Sequence, residues 1–237
     1  DEDASNCFEN QYSNHLFNLA VRTSRKKYNY NIGADFEPQK SVSRSLLEKA
    51  TPAEEPLRKS VFNISPTVNF RYKFSKRTRL QIVYRGKSRQ PNIRDLQPVT
   101  DRTNPLNIRV GNPGLKPSFA HTMRAFYNTY NAERQRGMVA HLMFTATQNS
   151  ISNSTQYDME TGRTIVTPQN INGNWNAFGM FGFNTALKNK KFTINSFARA
   201  NYQNQVAYLY NKDTKMDDKN TTTGLTLAEN LNGSYRN

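Results

Sequence analysis

The sequence predicts an all-β protein, built as an antiparallel up-and-down β-barrel that spans a membrane. Three observations lead to this fold class. Apolar and polar residues alternate along extended segments, aromatic residues make up 11% of the chain although the mean hydropathy is −0.84, and short connections alternate with long ones. Alternation with a period of two is typical of strands whose two faces meet different surroundings.

The strands follow from the alternation. In the clearest case one face carries Tyr28, Tyr30, Ile32, Ala34 and Phe36, while the residues between them are mostly polar. The same pattern predicts about nine strands, near residues 11–22, 27–36, 61–74, 78–86, 118–130, 137–151, 172–187, 191–209 and 222–235. These segments are longer than typical globular strands and match the length that a tilted strand needs to cross a bilayer.

The connections between these strands alternate in length. Short basic turns are predicted near 24–26, 75–77, 131–136 and 188–190, and long polar loops near 37–60, 87–117, 152–171 and 210–221. Outer-membrane barrels combine short periplasmic turns with long extracellular loops. We therefore expect residues 1–237 to belong to one outer-membrane barrel domain. Within the third long loop, residues 155–157 and 164–167 are predicted to pair as a hairpin.

The segment from Tyr84 to Phe119 is rich in proline and contains two Asn-Pro pairs. Proline disrupts helices and cannot donate to a strand ladder, so the segment predicts neither element. Apolar residues nevertheless recur along it. A long ordered loop that packs against other parts of the protein is therefore expected, and loops of this length are usually functional.

The net charge of +15 also suggests a soluble β protein that binds nucleic acid. The cations are spread over turns, one strand face and loops, however, which in a barrel are the rim, the lumen and the outside. Aromatic residues near strand ends fit the interfacial girdles of a barrel: Tyr28, Tyr84, Trp175, Tyr202 and Tyr208. A soluble protein would be extracted without detergent, and its binding to nucleic acid would depend steeply on salt.

No catalytic chemistry is predicted. The three histidines His15, His121 and His141 lie in strand patterns without metal-ligand spacing, and Cys7 is the single cysteine. The glycines in Gly179–Gly182 lie inside an aromatic strand, where glycine more plausibly allows close packing. We therefore expect no enzyme activity, no metal site, no cofactor and no nucleic-acid partner.

Two stretches of the proline-rich segment resemble a known signature. Ser88–Leu96 followed by Gly111–Pro117 is similar to the "(R)xPxxxxL … NPxLKPE" pattern of TonB-dependent outer-membrane receptors. The version with Gln90-Pro91, Leu96–Pro98 and Asn104–Ile108 resembles specifically the β-barrel family of Bacteroidota receptors. Similarity continues through residues 147–153, 168–175 and 188–192. Ser118 replaces the usual glutamate, so a salt bridge made by that glutamate would be absent. The residues that carry the motif are Gln90, Pro91, Leu96, Asn104, Pro105, Asn112, Pro113, Leu115 and Pro117.

The resemblance implies a barrel of about 22 strands whose lumen is closed by a plug. This chain would supply about nine of the strands, and the N-terminal plug and the segment that contacts the TonB complex would lie outside it. The implied function is active import of a glycan, metal chelate, cofactor or peptide across the bacterial outer membrane. The alternative is a barrel that no longer transports and serves as a docking platform for other envelope proteins.

The resemblance also implies partners and contacts. Besides plug and TonB complex, these are outer-membrane lipid and lipopolysaccharide, and a surface lipoprotein or another envelope protein. The motif residues are expected to be structural and to face the plug or vestibule. Four arginines are candidates for contact with an anionic ligand or lipopolysaccharide, although solvation or pairing with plug carboxylates explains them equally well: Arg89, Arg94, Arg102 and Arg109.

Overall fold

The computed structural model describes residues 8–45, 57–97, 100–157, 162–187, 191–211 and 216–235. Fourteen strands and one short helix cover most of these residues. The strands are β1 (Phe8–Asn14), β2 (Phe17–Ser24), β3 (Tyr28–Ser45), β4 (Leu57–Lys73), β5 (Arg79–Arg89), β6 (Thr100–Asn104), β7 (Asn107–Val110), β8 (Ser118–Asn131), β9 (Arg136–Gln148), β10 (Ser150–Tyr157), β11 (Thr164–Ile171), β12 (Asn174–Ala186), β13 (Phe192–Asn211) and β14 (Met216–Tyr235), and the helix is α1 (Ile93–Leu96).

Ten strands form one antiparallel sheet, in the order β1-β3-β4-β5-β8-β9-β12-β13-β14, with β2 also paired to β3. Strands that follow one another along the sheet are joined in chain order, as expected of an up-and-down wall. Among the described residues β14 pairs with β13 alone, so the sheet is not closed into a barrel. In the same part of the chain, no helix is long and apolar enough to cross a membrane.

Tight turns close one end of the hairpins. The backbone N–H of Arg25 donates to the carbonyl of Tyr28 at 2.8 Å, and that of Phe74 donates to Thr78 at 3.0 Å. In the turn between β8 and β9, the side chain of Asn131 accepts from the N–H of Arg134 at 3.0 Å. These turns coincide with the predicted short connections near 24–26, 75–77 and 131–136, while residues 188–190 lie outside the described residues.

The register gives the sheet one apolar and one polar face. Residues that pair directly across neighbouring strands share a face, and one such row runs across all nine positions of the sheet: Val21, Ile32, Val68, Tyr84, Met123, Phe144, Ala177, Tyr202 and Leu225. Apolar residues of this face are exposed, with Leu142 at 59% and Leu227 at 68%. An apolar surface of this extent needs an apolar environment to cover it. Glu229 interrupts the face on the edge strand β14.

Aromatic side chains lie towards both ends of the apolar face. Tyr28 pairs with Tyr72 near the tight turns. Towards the opposite end Trp175 stacks on Tyr202 with ring centroids 4.9 Å apart, and the Tyr84 hydroxyl is 2.9 Å from Nδ1 of His121. This placement agrees with two interfacial girdles. Tyr208 differs, because its hydroxyl donates to the carbonyl of Asn170 at 3.2 Å.

A second sheet of four strands, in the order β10-β11-β7-β6, lies at the end opposite the tight turns. Strands β10 and β11 form an antiparallel hairpin, in which Thr155 pairs with Val166 and Tyr157 with Thr164. The hairpin predicted from residues 155–157 and 164–167 is therefore confirmed. Strand β7 adds to β11 in parallel, so the predicted all-antiparallel pairing holds only for the larger sheet.

The prediction that residues 84–119 contain neither a helix nor a ladder strand was wrong. The segment holds α1, β6 and β7, although each is short. The prolines border these elements instead of interrupting them: Pro91 precedes the helix cap Asn92, and Pro105 lies in the turn between β6 and β7. Proline is compatible with both positions, since neither requires an N–H donor.

The other long connections also contain more strand than their polar composition indicates. Strand β3 continues to Ser45 and β4 begins at Leu57, well inside the predicted loop 37–60. Strands β13 and β14 pair as far as Asn211 and Met216, inside the predicted loop 210–221. Polar residues occur on both faces of these extensions, so the alternation that identifies a half-buried strand is lost there.

The hairpin β9–β12 bends before it continues as β10–β11. Asn149 has a positive φ of 49° and Gly173 has one of 119°. Strand β9 therefore ends before residue 151, where the predicted strand 137–151 ends, and β12 begins after residue 172, where the predicted strand 172–187 begins. A Cβ atom on Gly173 would lie 2.7 Å from Cγ2 of Val206. Glycine therefore meets two requirements at this bend, the unusual backbone angle and the close approach of β13.

Candidate functional site

The buried apolar side chains of the described residues lie at the end of the sheet opposite the tight turns. Leu96, Leu115 and Ile171 are 4%, 3% and 2% exposed, and Pro168 is also fully buried. All four belong to residues 90–117 or to the hairpin β10–β11, which we call the loop cluster. Among the described residues, the remaining buried hydrophobic side chain is Val206 on β13, which is 9% exposed, so the loop cluster holds most of the packed apolar core.

The first part of the loop cluster is anchored to the sheet wall by Gln90. Its Nε2 donates to Oδ1 of Asn63 at 2.7 Å, and Asn63 on β4 is only 4% exposed. The following helix α1 starts at its cap residue Asn92, whose side chain accepts from the N–H of Arg94 at 3.1 Å. The cap satisfies a helix donor that would otherwise lack a partner. Leu96, at the other end of α1, is thereby directed into the core.

Asn112 connects the two stretches that resemble the receptor signature, Ser88–Leu96 and Gly111–Pro117. Its N–H donates to the carbonyl of Asp95 at 2.6 Å, and its Nδ2 donates to the carbonyl of Pro168 at 3.0 Å. The same side chain accepts from the N–H of Gly114 at 2.9 Å. A Cβ atom on the preceding Gly111 would overlap the carbonyl oxygen of Gln97, so no other residue fits this backbone crossing.

Asn170 on β11 makes the second set of amide contacts. Its Oδ1 accepts from the N–H of Lys116 at 2.7 Å, and its Nδ2 donates to the carbonyls of Lys116 and Asn149, both at 2.9 Å. One side chain therefore ties the end of the long loop to the bend of the β9–β12 hairpin. These bonds replace the ladder that an irregular backbone cannot form.

Replacing Asn170 with alanine should lower the free energy of unfolding by about 1–3 kcal/mol, because backbone groups of Lys116 and Asn149 lose their partner. The midpoint of urea unfolding of the full-length protein in lipid vesicles measures this change. Asn153→Ala is the matched control, since Asn153 lies on the neighbouring strand β10 with an exposed side chain. Equal shifts for the two variants would contradict the role of Asn170.

The four candidate arginines have different surroundings. Arg109 forms a salt bridge with Asp95 at 2.7 Å, and the two side chains are 45% and 16% exposed. Arg89 and Arg94 are exposed, and the side chain of Arg102 lies outside the described part of the structure. Arg109 is therefore paired within this chain, and its exposure limits the bridge to a small contribution.

The nine motif residues occupy three kinds of position. Gln90, Pro91, Leu96, Asn112 and Leu115 are buried or bonded within the loop cluster. Asn104 and Pro105 lie at the exposed tip between β6 and β7, where the Asn104 side chain accepts from the N–H of Leu106 at 3.0 Å. Pro113 is exposed and Pro117 half-buried. Ser118, which replaces the glutamate of the signature, donates weakly to the carbonyl of Arg89 at 3.4 Å.

Sequence reasoning missed the partners of the motif. Asn63, Pro168, Asn170 and Ile171 complete the cluster, yet none was singled out as a site residue. The resemblance over residues 168–175 did contain a signal for three of them. Asn63 carried no signal of its own, because an asparagine on the polar face of a strand is ordinary.

The loop cluster is defined by its shape and its internal contacts. The described residues contain no group of histidine, cysteine, aspartate and glutamate side chains that could hold a metal ion. Its hydrogen bonds and its core fix the shape of an irregular structure at one end of a two-faced sheet.

A sequence profile of the Outer membrane protein beta-barrel family matches residues 1–236. The chain belongs to this family. Its location is the bacterial outer membrane. In an outer-membrane barrel the apolar face of the sheet contacts lipid and the polar face lines the lumen. The exposed leucines of this barrel wall are thereby explained.

Two solved structures are similar to this chain at low sequence identity. A structure described as copper transporter OprC has a TM-score of 0.50 at 12% identity, with 97% of this chain and 40% of that chain covered. The siderophore receptor PirA from Pseudomonas aeruginosa has a TM-score of 0.46 at 11% identity, with 98% and 52% covered. The barrel chain thus spans about half or less of the length of these proteins. A comparison with curated proteins found no match.

Proposed function

We propose that this chain forms part of the barrel wall of a TonB-dependent importer that takes up a nutrient across the outer membrane. The observation that carries the proposal is the loop cluster. The segment that resembles the TonB-dependent receptor signature is folded into an ordered core, with Leu96 and Leu115 buried and Asn112 bonded on three sides. A signature segment that formed only a solvent-exposed loop would not need these contacts.

The width of the sheet supports a large barrel. A closed barrel of about eight strands has an interior that its own side chains fill. This sheet has nine strand positions and is still open between β14 and the β1–β2 edge, so the closed barrel must be wider. Barrels that hold a plug have about 22 strands. The plug and the TonB complex are accordingly proposed partners of the full-length protein, with the loop cluster on the extracellular side.

The candidate cargoes include those of the structural neighbours, a copper ion and a siderophore, as well as a glycan, a cofactor or a peptide. A strain that lacks the gene should lose uptake of at least one such nutrient, and a plasmid copy should restore it. Deleting the TonB complex should abolish the same uptake, because the outer membrane has no other source of energy for this transporter.

Undiminished uptake of every candidate nutrient in the deletion strain would contradict the proposal. The docking-platform alternative would then be tested by isolating the barrel with its envelope partners. Uptake that persists without the TonB complex would instead indicate a passive channel. Growth on each nutrient, measured in parallel with uptake of the labelled compound, distinguishes these results.

A further inference from the structure

The lumen side of the wall carries no aspartate or glutamate from β4 to β13, whereas the adjoining strand β3 carries Asp35 and Glu37 on that face. Six strands, β4, β5, β8, β9, β12 and β13, contain no aspartate or glutamate. On the three neighbouring strands β4, β5 and β8, six cations between the tight turns and Lys87 point to the polar face, and their side chains are all exposed. We call this set the cationic column: Arg71, Lys73, Arg79, Arg85, Lys87 and Arg124.

The register places these cations one above another. Successive inward positions on β5 are Arg79, Gln81, Val83, Arg85 and Lys87. Where β5 has a neutral residue, a neighbouring strand supplies the cation, since Gln81 pairs with Arg71 on β4 and Val83 pairs with Arg124 on β8. At the level next to the tight turns, Lys73 pairs with Arg79. Every level from the turns to Lys87 therefore carries positive charge.

The column covers most of the height of the membrane-spanning part of the wall. Lys87 lies eight positions after Arg79 on β5, which corresponds to about 26 Å along a strand or about 20 Å along the membrane normal at the usual tilt of about 40°. The apolar outer band of such barrels is about 25 Å tall. The positive charges therefore continue across most of the hydrocarbon thickness, with successive levels about 7 Å apart along the strand.

None of these six cations forms a salt bridge within the described residues, where the single ion pair is that of Arg109 with Asp95. The Arg79 guanidinium donates to the neutral side chain of Asn128 at 2.7 Å, which leaves its charge uncompensated. Six like charges on adjacent strands repel one another, so an anion beside them gains favourable energy at every level.

We propose that the cationic column is a path for an anionic solute through the barrel, such as a molecule that bears carboxylate, phosphate or sulfate groups. The inference rests on the proposed import function and specifies the charge of its cargo. Continuity is the decisive feature: Arg and Lys side chains that line a pore make it selective for anions, and the column presents such side chains at every level. A fixed binding site would need cations at one level only.

The test uses the full-length protein, purified in neutral detergent, and a trisulfonated pyrene dye as the anionic probe. Fluorescence anisotropy at low ionic strength gives the dissociation constant. The column variant is the triple substitution Arg71→Gln, Arg85→Gln and Arg124→Gln. The control is Arg25→Gln, Lys76→Gln and Arg134→Gln, which removes the same charge from exposed residues of the tight turns.

The column variant should bind the dye at least about tenfold more weakly than the wild type, and the turn variant within about twofold. Equal weakening by both variants, or a wild type that binds no dye because acidic protein groups already occupy the column, would overturn the proposal. Folding is checked by the faster migration of unboiled barrel on a gel. If the column variant does not fold, Arg85→Gln alone should still weaken binding severalfold.

Dye binding requires neither energy nor the TonB complex. A protein that binds the dye but supports no uptake would therefore overturn the importer and leave the anion path standing. If the protein imports its nutrient but the column and turn variants bind the dye equally well, the anion path is overturned and the importer stands.

Discussion

Replacing Leu142 with arginine is expected to destabilise the full-length protein in lipid vesicles by about 2–4 kcal/mol, the cost of a cation on the lipid face near the bilayer midplane. Leu142 lies at the middle of β9, is 59% exposed, and pairs with Ala125 and Gly179 on the apolar face. No neighbouring carboxylate is available on β8, β9 or β12 to compensate the charge. The midpoint of urea unfolding in vesicles reports the loss.

Thr145→Arg provides the control for this substitution. Thr145 lies on the same strand but on the lumen face, where it pairs with Thr122 and Asn176. An arginine there remains in water, so we expect a change of less than about 1 kcal/mol. If the two arginines destabilised the protein equally, the assignment of the apolar face to lipid would be wrong.

Replacing Leu115 with alanine should cost about 2–5 kcal/mol of the stability of the loop cluster, through lost burial and the cavity that remains. Leu115 is 3% exposed, and few other apolar side chains share this core. Few neighbouring side chains can therefore move into the cavity that the substitution leaves. Hydrogen–deuterium exchange of β7 and β11 measures the local opening. The expected result is faster exchange there and unchanged exchange in the centre of β5 and β8.

Leu106→Ala is the matched control, because Leu106 is 61% exposed in the turn between β6 and β7. Its loss should leave exchange within experimental error, as is usual for exposed positions. If Leu115→Ala also left exchange unchanged, the motif leucine would not be part of a core, and the structural role proposed for the signature would fail.

The strands of the main sheet could be predicted because lipid and water impose a strict alternation on them. Residues such as Ile32, Val68 and Leu142 reveal their face by type alone. The same physics explains where prediction fails. Beyond the membrane both faces of β3 and β14 contact water, so polar residues no longer distinguish a strand from a loop.

The loop cluster was less predictable because its contacts depend on residues that are distant in sequence. Prolines in residues 84–119 correctly indicate interruptions, but the positions of α1, β6 and β7 depend on tertiary bonds to Pro168 and Asn170. The resemblance identified Asn112 and Leu115 as important without indicating their partners. The cationic column likewise emerges only from the strand register, since Arg71, Arg85 and Arg124 form no motif in the sequence.

The parallel pairing of β7 with β11 has a consequence for the order of folding. The larger sheet can grow by adding hairpins of near neighbours in sequence, whereas Asn107 and Thr164 are separated in sequence by β8, β9 and β10. Contacts between distant residues form late because closing the intervening chain costs entropy. The loop cluster should therefore be the last part to become resistant to protease, which makes its protection a measure of completed assembly.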